Sequence, residues 1–218
     1  MSLLRAGPTL ILLCLGLALP AHGQPSVVSG SVSVPGDRAT GAVVYLVSEG
    51  ITNGSPPGNM RQSPPQNLAP PEAEAPALID QSRLRFVPTV LAVLPGSAVE
   101  FRNSDALLHN VFSPPGPGDG FNLGTYPKGE FRSHTFTELG PHVILCHVHP
   151  EMVSRVIVVD TPIHAVVDPE GRFRIENVPP GRYTLKVWHP AAEPFAEDVV
   201  VRAGASLDLR LELGKRKR

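Results

Sequence analysis

Hydrophobic and polar positions alternate in short runs along most of this chain, and no long segment repeats apolar residues at the three- and four-residue spacing of a helix. In Ala98-Val99-Glu100-Phe101-Arg102-Asn103 the apolar residues alternate with charged ones, and Tyr183, Leu185 and Val187 fall on one face of Tyr183-Thr184-Leu185-Lys186-Val187-Trp188. The same pattern predicts strands over 27–34, 41–47, 83–88, 90–94, 98–103, 107–112, 131–137, 143–145, 153–159, 165–175 (with a turn inside), 196–202 and 205–213. Pro35-Gly36-Asp37, Pro95-Gly96, Asp168-Pro169-Glu170-Gly171 and Pro179-Pro180-Gly181 supply turns between them. The pattern predicts an all-β protein.

Two stretches break the alternation. Arg5 precedes the apolar run from Leu10 to Leu19, and Pro20 with Ala21-His22-Gly23 follows it. This order reads as a cleaved signal peptide over 1–23, ending near Gly23 and directing the protein to the periplasm or outside the cell. The run is short for a membrane span, and no other segment approaches one. The second stretch, 50–77, carries Pro56, Pro57, Pro64, Pro65, Pro70, Pro71 and Pro76 among Gly, Ser, Asn and Gln. With almost nothing to bury, it reads as a disordered insertion.

Loss of the signal removes Cys14 and leaves one cysteine, Cys146. A lone cysteine in an exported protein is a free thiol, an intermolecular bridge or a metal ligand. Its neighbours select the last reading. Cys146-His147-Val148-His149-Pro150-Glu151-Met152 follows the apolar run Val143-Ile144-Leu145 and precedes the strand from Val153, which places a thiolate, an imidazole and a thioether on one tight loop between strands. One further nitrogen is needed, and His109, where a predicted strand meets a loop, is the best candidate. Two imidazoles, a thiolate and a weak axial thioether are the ligand set of blue-copper electron-transfer sites.

The remaining composition narrows the function classes. A formal net charge of −1 gives no reason to expect nucleic acid as a partner. The basic end, 214–218, reads as a frayed solvated tail. No paired carboxylates, phosphate loop or nucleophile triad stands out, which gives no basis for a hydrolase, and four ligands on one ion would leave no open position for a substrate, so the chain reads as a non-enzyme. A redox protein is the expected partner. One alternative is copper handling without electron transfer, in which His147, His142, His134, His164 and His189 could bind further ions; another is a metal-assisted protein-interaction module, to which Trp188 could contribute a surface if it does not simply close a core.

Residues 78–160 resemble the cupredoxins, especially the amicyanin and pseudoazurin type, in His109-Asn110-Val111 and in the spacing of Cys146, His149, Pro150 and Met152. The resemblance implies a Greek-key β-sandwich holding one type 1 copper ion. It makes His109, Cys146 and His149 the equatorial ligands and Met152 the axial one, with Asn110 bracing the loops. It also implies that electrons leave by the edge of His149 among Val148 and Pro150. His147 and Val148 depart from the polar residue and proline usual there. Residues 24–49 and 161–213 resemble a carboxypeptidase regulatory-like, transthyretin-like β-sandwich, through Gly41-Ala42-Val43-Val44-Tyr45-Leu46 and Gly171-Arg172-Phe173-Arg174-Ile175 to Gly181-Arg182-Tyr183. The cupredoxin would then be inserted into that sandwich, an arrangement similar to bacterial exported proteins labelled methylamine utilisation proteins.

Overall fold

The computed structural model describes residues 26–48, 77–118 and 120–216, and every regular element among them is a strand. The protein is all-β, as the alternation predicts. Two sheets enclose a first core. β1 (Ser26–Ser33), β13 (Arg172–Val178) and β16 (Ser206–Glu212) lie in the order β13-β1-β16; β2 (Val43–Ser48), β12 (His164–Val166), β14 (Gly181–Trp188) and β15 (Phe195–Val201) lie in the order β12-β2-β14-β15. Alternate residues point inward, so Val28, Val44, Leu46, Leu185 and Val187 interdigitate between the sheets. Each such side chain contributes roughly 1.5–3 kcal/mol by leaving water.

A second pair of sheets is formed by the chain between β2 and β12. β3 (Ala77–Gln81), β4 (Phe86–Val87), β6 (Ser97–Asn103) and β9 (Phe131–Phe136) lie in the order β4-β3-β6-β9. β5 (Val90–Val93), β7 (His109–Ser113), β8 (Phe121–Tyr126), β10 (Gly140–Leu145) and β11 (Val153–Val158) lie in the order β5-β11-β10-β7-β8. Ile79, Phe86, Val99, Phe101, Tyr126, Phe136 and Ile144 fill the space between them, together with Cys146 and Met152.

A third apolar cluster joins the sandwiches. Val43 of β2 meets Ile157 and Val159 at the end of β11, and Tyr45, Val90, Ala92 and Trp188 pack around them. Trp188 therefore closes neither sandwich core but belongs to the seam. Gly41 shows how close the approach is: its φ is +78°, and a Cβ there would sit 2.8 Å from Cγ2 of Val90.

Several expectations are corrected. Ala77, placed in the proline-rich insertion, begins β3, and that strand precedes the point where the pattern resumes. β3 was hidden because Asp80 and Gln81 interrupt its apolar run, although Gln81 is buried by bonding to Tyr126. Arg83 and Leu84 are not strand residues; both have left-handed backbone, with φ of 54° and 57°. β8 falls where the alternation predicts no strand, and the Pro35-Gly36 turn joins strands of different sheets. The basic end is not frayed where it is described: Arg216 donates its N–H to the Ala191 carbonyl (2.9 Å), and Gly214 accepts from Glu193 N (2.8 Å). The signal segment and the rest of the insertion lie outside the described residues, as do Lys217 and Arg218.

Candidate metal centre

β7 and β10 are neighbours in the five-stranded sheet, with Leu145 opposite Phe112. β10 ends at that pair, and the residues after it run back beside β7 towards its start. His109 opens β7, and Cys146 follows β10 immediately. The chain then turns so that Met152 N donates to the His149 carbonyl (3.0 Å), and β11 begins at the next residue. The loop is thus pinned at both ends by paired strands.

Three donor atoms converge within it. His109 Nδ1 lies 3.9 Å from Cys146 Sγ and 3.0 Å from His149 Nδ1. The three residues form a group whose candidate ligand atoms all lie within 4.8 Å of one another. His109 is fully enclosed, Cys146 is 2 % exposed and Met152 1 %, whereas His149 is only partly covered. Two ring nitrogens this close must share a proton or a cation, because two facing lone pairs repel. An ion about 2.0–2.1 Å from imidazole nitrogen and about 2.3 Å from thiolate sulfur fits atoms so spaced. The residues present therefore fit a metal ion. Met152 is buried in the same cluster as Cys146, at the loop end where its sequence position puts it.

Hydrogen bonds around the group fix its orientation. Asn110 donates its backbone N–H to Cys146 Sγ (3.5 Å). Its side-chain oxygen accepts from His147 N (3.3 Å), while its amide nitrogen donates to Asn122 Oδ1 (2.8 Å) and Gly124 O (3.0 Å). One buried amide thus links β7, the Cys146 loop and β8. Val148 and Pro150 are exposed on that loop beside His149.

Sequence reasoning missed Asp105. Its carboxylate accepts from His109 Nε2 (2.9 Å), from Arg83 N (2.6 Å) and from Leu84 N (2.9 Å). Burial pushes its carboxyl pKa up, but the N–H groups of Leu84 and Arg83, with His109, outweigh that and hold it below the usual range. An ionised carboxylate only accepts, so Nε2 of His109 carries the hydrogen and Nδ1 is left to face the group. The left-handed backbone of Arg83 and Leu84 is what aims their two N–H groups at this carboxylate. Asn103 shapes the intervening loop, accepting from Asp105 N (3.0 Å) and donating to Leu107 O (2.9 Å). The available signal was an acidic residue four positions before a candidate ligand.

The other described histidines are engaged elsewhere. His147 stacks on Phe112 at 3.7 Å and His134 on Phe121 at 3.8 Å. His142 bonds the Glu138 carbonyl, His164 the Thr161 carbonyl, and His189 Nδ1 accepts from Ala191 N.

Comparison with known proteins gives two kinds of match. Residues 154–214 match the model of the carboxypeptidase regulatory-like domain, a span that begins inside β11 and takes in β12 to β16. No curated protein matches the chain. Among solved structures, a Cu(I) form of an amicyanin mutant is 27% identical, with 38% of this chain and 82% of that one covered and a TM-score of 0.37. A reduced form of another amicyanin mutant is 28% identical, with 40% and 85% covered and a TM-score of 0.38. The copper-containing nitrite reductase of Thermus scotoductus SA-01 is 26% identical, with 40% of this chain and 23% of that one covered and a TM-score of 0.38.

Proposed function

We propose that the chain holds one copper ion between His109, Cys146 and His149, with Met152 as a weak axial ligand, and that it carries single electrons to or from a redox protein outside the cytoplasm. The observation that carries this reading is the convergence of two Nδ1 atoms and one thiol sulfur at the end of an apolar core. A thiolate with two imidazoles and a thioether selects copper over harder ions, and copper in that set supplies a reversible one-electron couple.

The chain's own residues supply the rest. Asp105 sets the tautomer of His109, Asn110 directs an N–H at the sulfur, and the β7–β10 pairing holds both before any ion arrives. A site fixed in this way changes little between oxidation states, which suits transfer. His149 is the donor nearest solvent, so it is the natural route for an electron. Val148, Leu107 and Leu108 expose apolar side chains on the ligand loop and the loop leading to His109, and can exclude water against a partner. Four donors leave no position for a substrate, in keeping with a carrier and not an enzyme. The N-terminal run from Leu10 supports export.

Stoichiometry tests the proposal. Competition against a chelator should show one tightly held copper ion per chain, lost in both His109→Ala and Cys146→Ala. Several weakly held ions that survive both substitutions would instead identify a copper-handling protein.

A further inference from the structure

A cleft of about 340 Å³ opens beside the seam, on the face of the β12-β2-β14-β15 sheet that meets the metal-bearing sandwich. Its size falls in the range of small-molecule sites, roughly 300–1,000 Å³, which favour domain junctions. Two aromatic side chains, Tyr45 and Trp188, both half-buried, line it. Lys186, opposite Tyr45 on the neighbouring strand, and Arg216, held by its backbone bond to Ala191, bring two positive charges. Glu193 is the one carboxylate of the lining.

The cleft is rich in donors and poor in acceptors. Among the described residues, the Tyr45 hydroxyl, the Trp188 indole N–H, the Lys186 ammonium and the Arg216 guanidinium have no hydrogen-bond or ion-pair partner within the protein, and all four belong to half-buried or exposed residues open to solvent. Burial, and after it the charge of Asp160, raise the Tyr45 phenol above its ordinary pKa, so it stays a donor at neutral pH. Four donors free to exchange water for a ligand fit an oxygen-rich anion, and a guanidinium matches the two oxygens of a carboxylate. Two aromatic side chains on one face of the sheet offer a surface on which a ring can stack.

We propose that this cleft is a second binding site, independent of the metal centre, for a small organic acid whose carboxylate is carried by a ring that can stack on an aromatic face. The ring lies against Tyr45 and Trp188, and the carboxylate meets Lys186 and Arg216. Aryl acids and acidic sugars share this chemistry.

Trp188 is the only tryptophan, so its emission reports on the cleft directly. The full chain would be titrated with phenylacetate, with glucuronate and with the neutral phenylacetamide. The expected result is a saturable change in Trp188 emission with at least one acid, at least tenfold weaker binding of the amide if phenylacetate is the acid that binds, and a tenfold or greater loss of affinity in Lys186→Gln/Arg216→Gln. Response to phenylacetate alone identifies aryl acids, and response to glucuronate alone identifies acidic sugars. Tyr45→Phe keeps the ring and removes one donor; it should weaken binding about threefold, and it serves if the double variant melts early. No saturable change with either acid would overturn the proposal, as would equal binding by phenylacetamide or undiminished binding in the variants.

Discussion

At the scale of single residues, the proposed metal centre depends on side chains outside its donor set. Asp105 is one. Replacing it by Asn keeps its size but allows the amide to present N–H to His109 Nε2, which favours the wrong tautomer. Removal of such a partner typically costs ten- to a hundredfold in metal affinity. Asp105→Asn should therefore weaken copper binding by about that factor in a chelator competition and also shift the reduction potential, which a purely structural residue would leave in place. Asn110 bridges three elements, and Asn110→Ala leaves the N–H of His147 and the Gly124 carbonyl without their partner. A loss of roughly 2 kcal/mol in urea unfolding is expected, since an unmet buried polar group costs about 1–3 kcal/mol. The crowding of candidate donors was readable in the sequence because Cys146, His149 and Met152 share one short loop. Asp105 was not, because its role arises from the left-handed turn at Arg83 and Leu84, and neither residue is the glycine or asparagine that would announce one.

At the scale of elements, alternation gave the inner strands and failed at the edges. β6, β14 and β11 are legible because their apolar positions face a core. β8 carries Asn122 and Gly124 at the sheet edge, where nothing forces apolar alternation, and β3 ends in Asp80 and in Gln81, which is buried with its Nε2 bonded to the Tyr126 hydroxyl. Strand partners were less legible still: β1 pairs in parallel with β16, far away in sequence, and local pattern carries no record of that. The seam can be tested through Gly41. A methyl group there adds left-handed strain and presses on Val90 in the other sandwich, so Gly41→Ala should cost about 1–3 kcal/mol in urea unfolding followed by Trp188 emission. Val90→Ala in the same chain should return part of it. Full additivity of the two losses would show that the sandwiches do not press on each other at this point.

At the scale of the whole molecule, two β-sandwiches share a chain and a seam, and the candidate metal centre lies in one of them. Its stability should respond to acid through His189, near the seam. Burial lowers the pKa of this imidazole; Asp37 and the Arg38 carbonyl oppose that shift, and the charge of Arg155 adds to it. With the folded pKa below the unfolded value, the unfolded chain binds the proton first. Stability is undiminished above about pH 6.5 and falls as the pH drops from there through the folded pKa. His189→Asn, which can still accept the Ala191 N–H, should flatten that slope between neutral and acidic unfolding curves. The central claim, a copper–thiolate centre built on Cys146, is tested most directly by the visible absorption spectrum of the chain with one equivalent of Cu(II), recorded beside Cys146→Ala. An intense thiolate-to-copper band that bleaches reversibly on reduction and is missing from the variant is the predicted result. A pale spectrum shared by both proteins would contradict it.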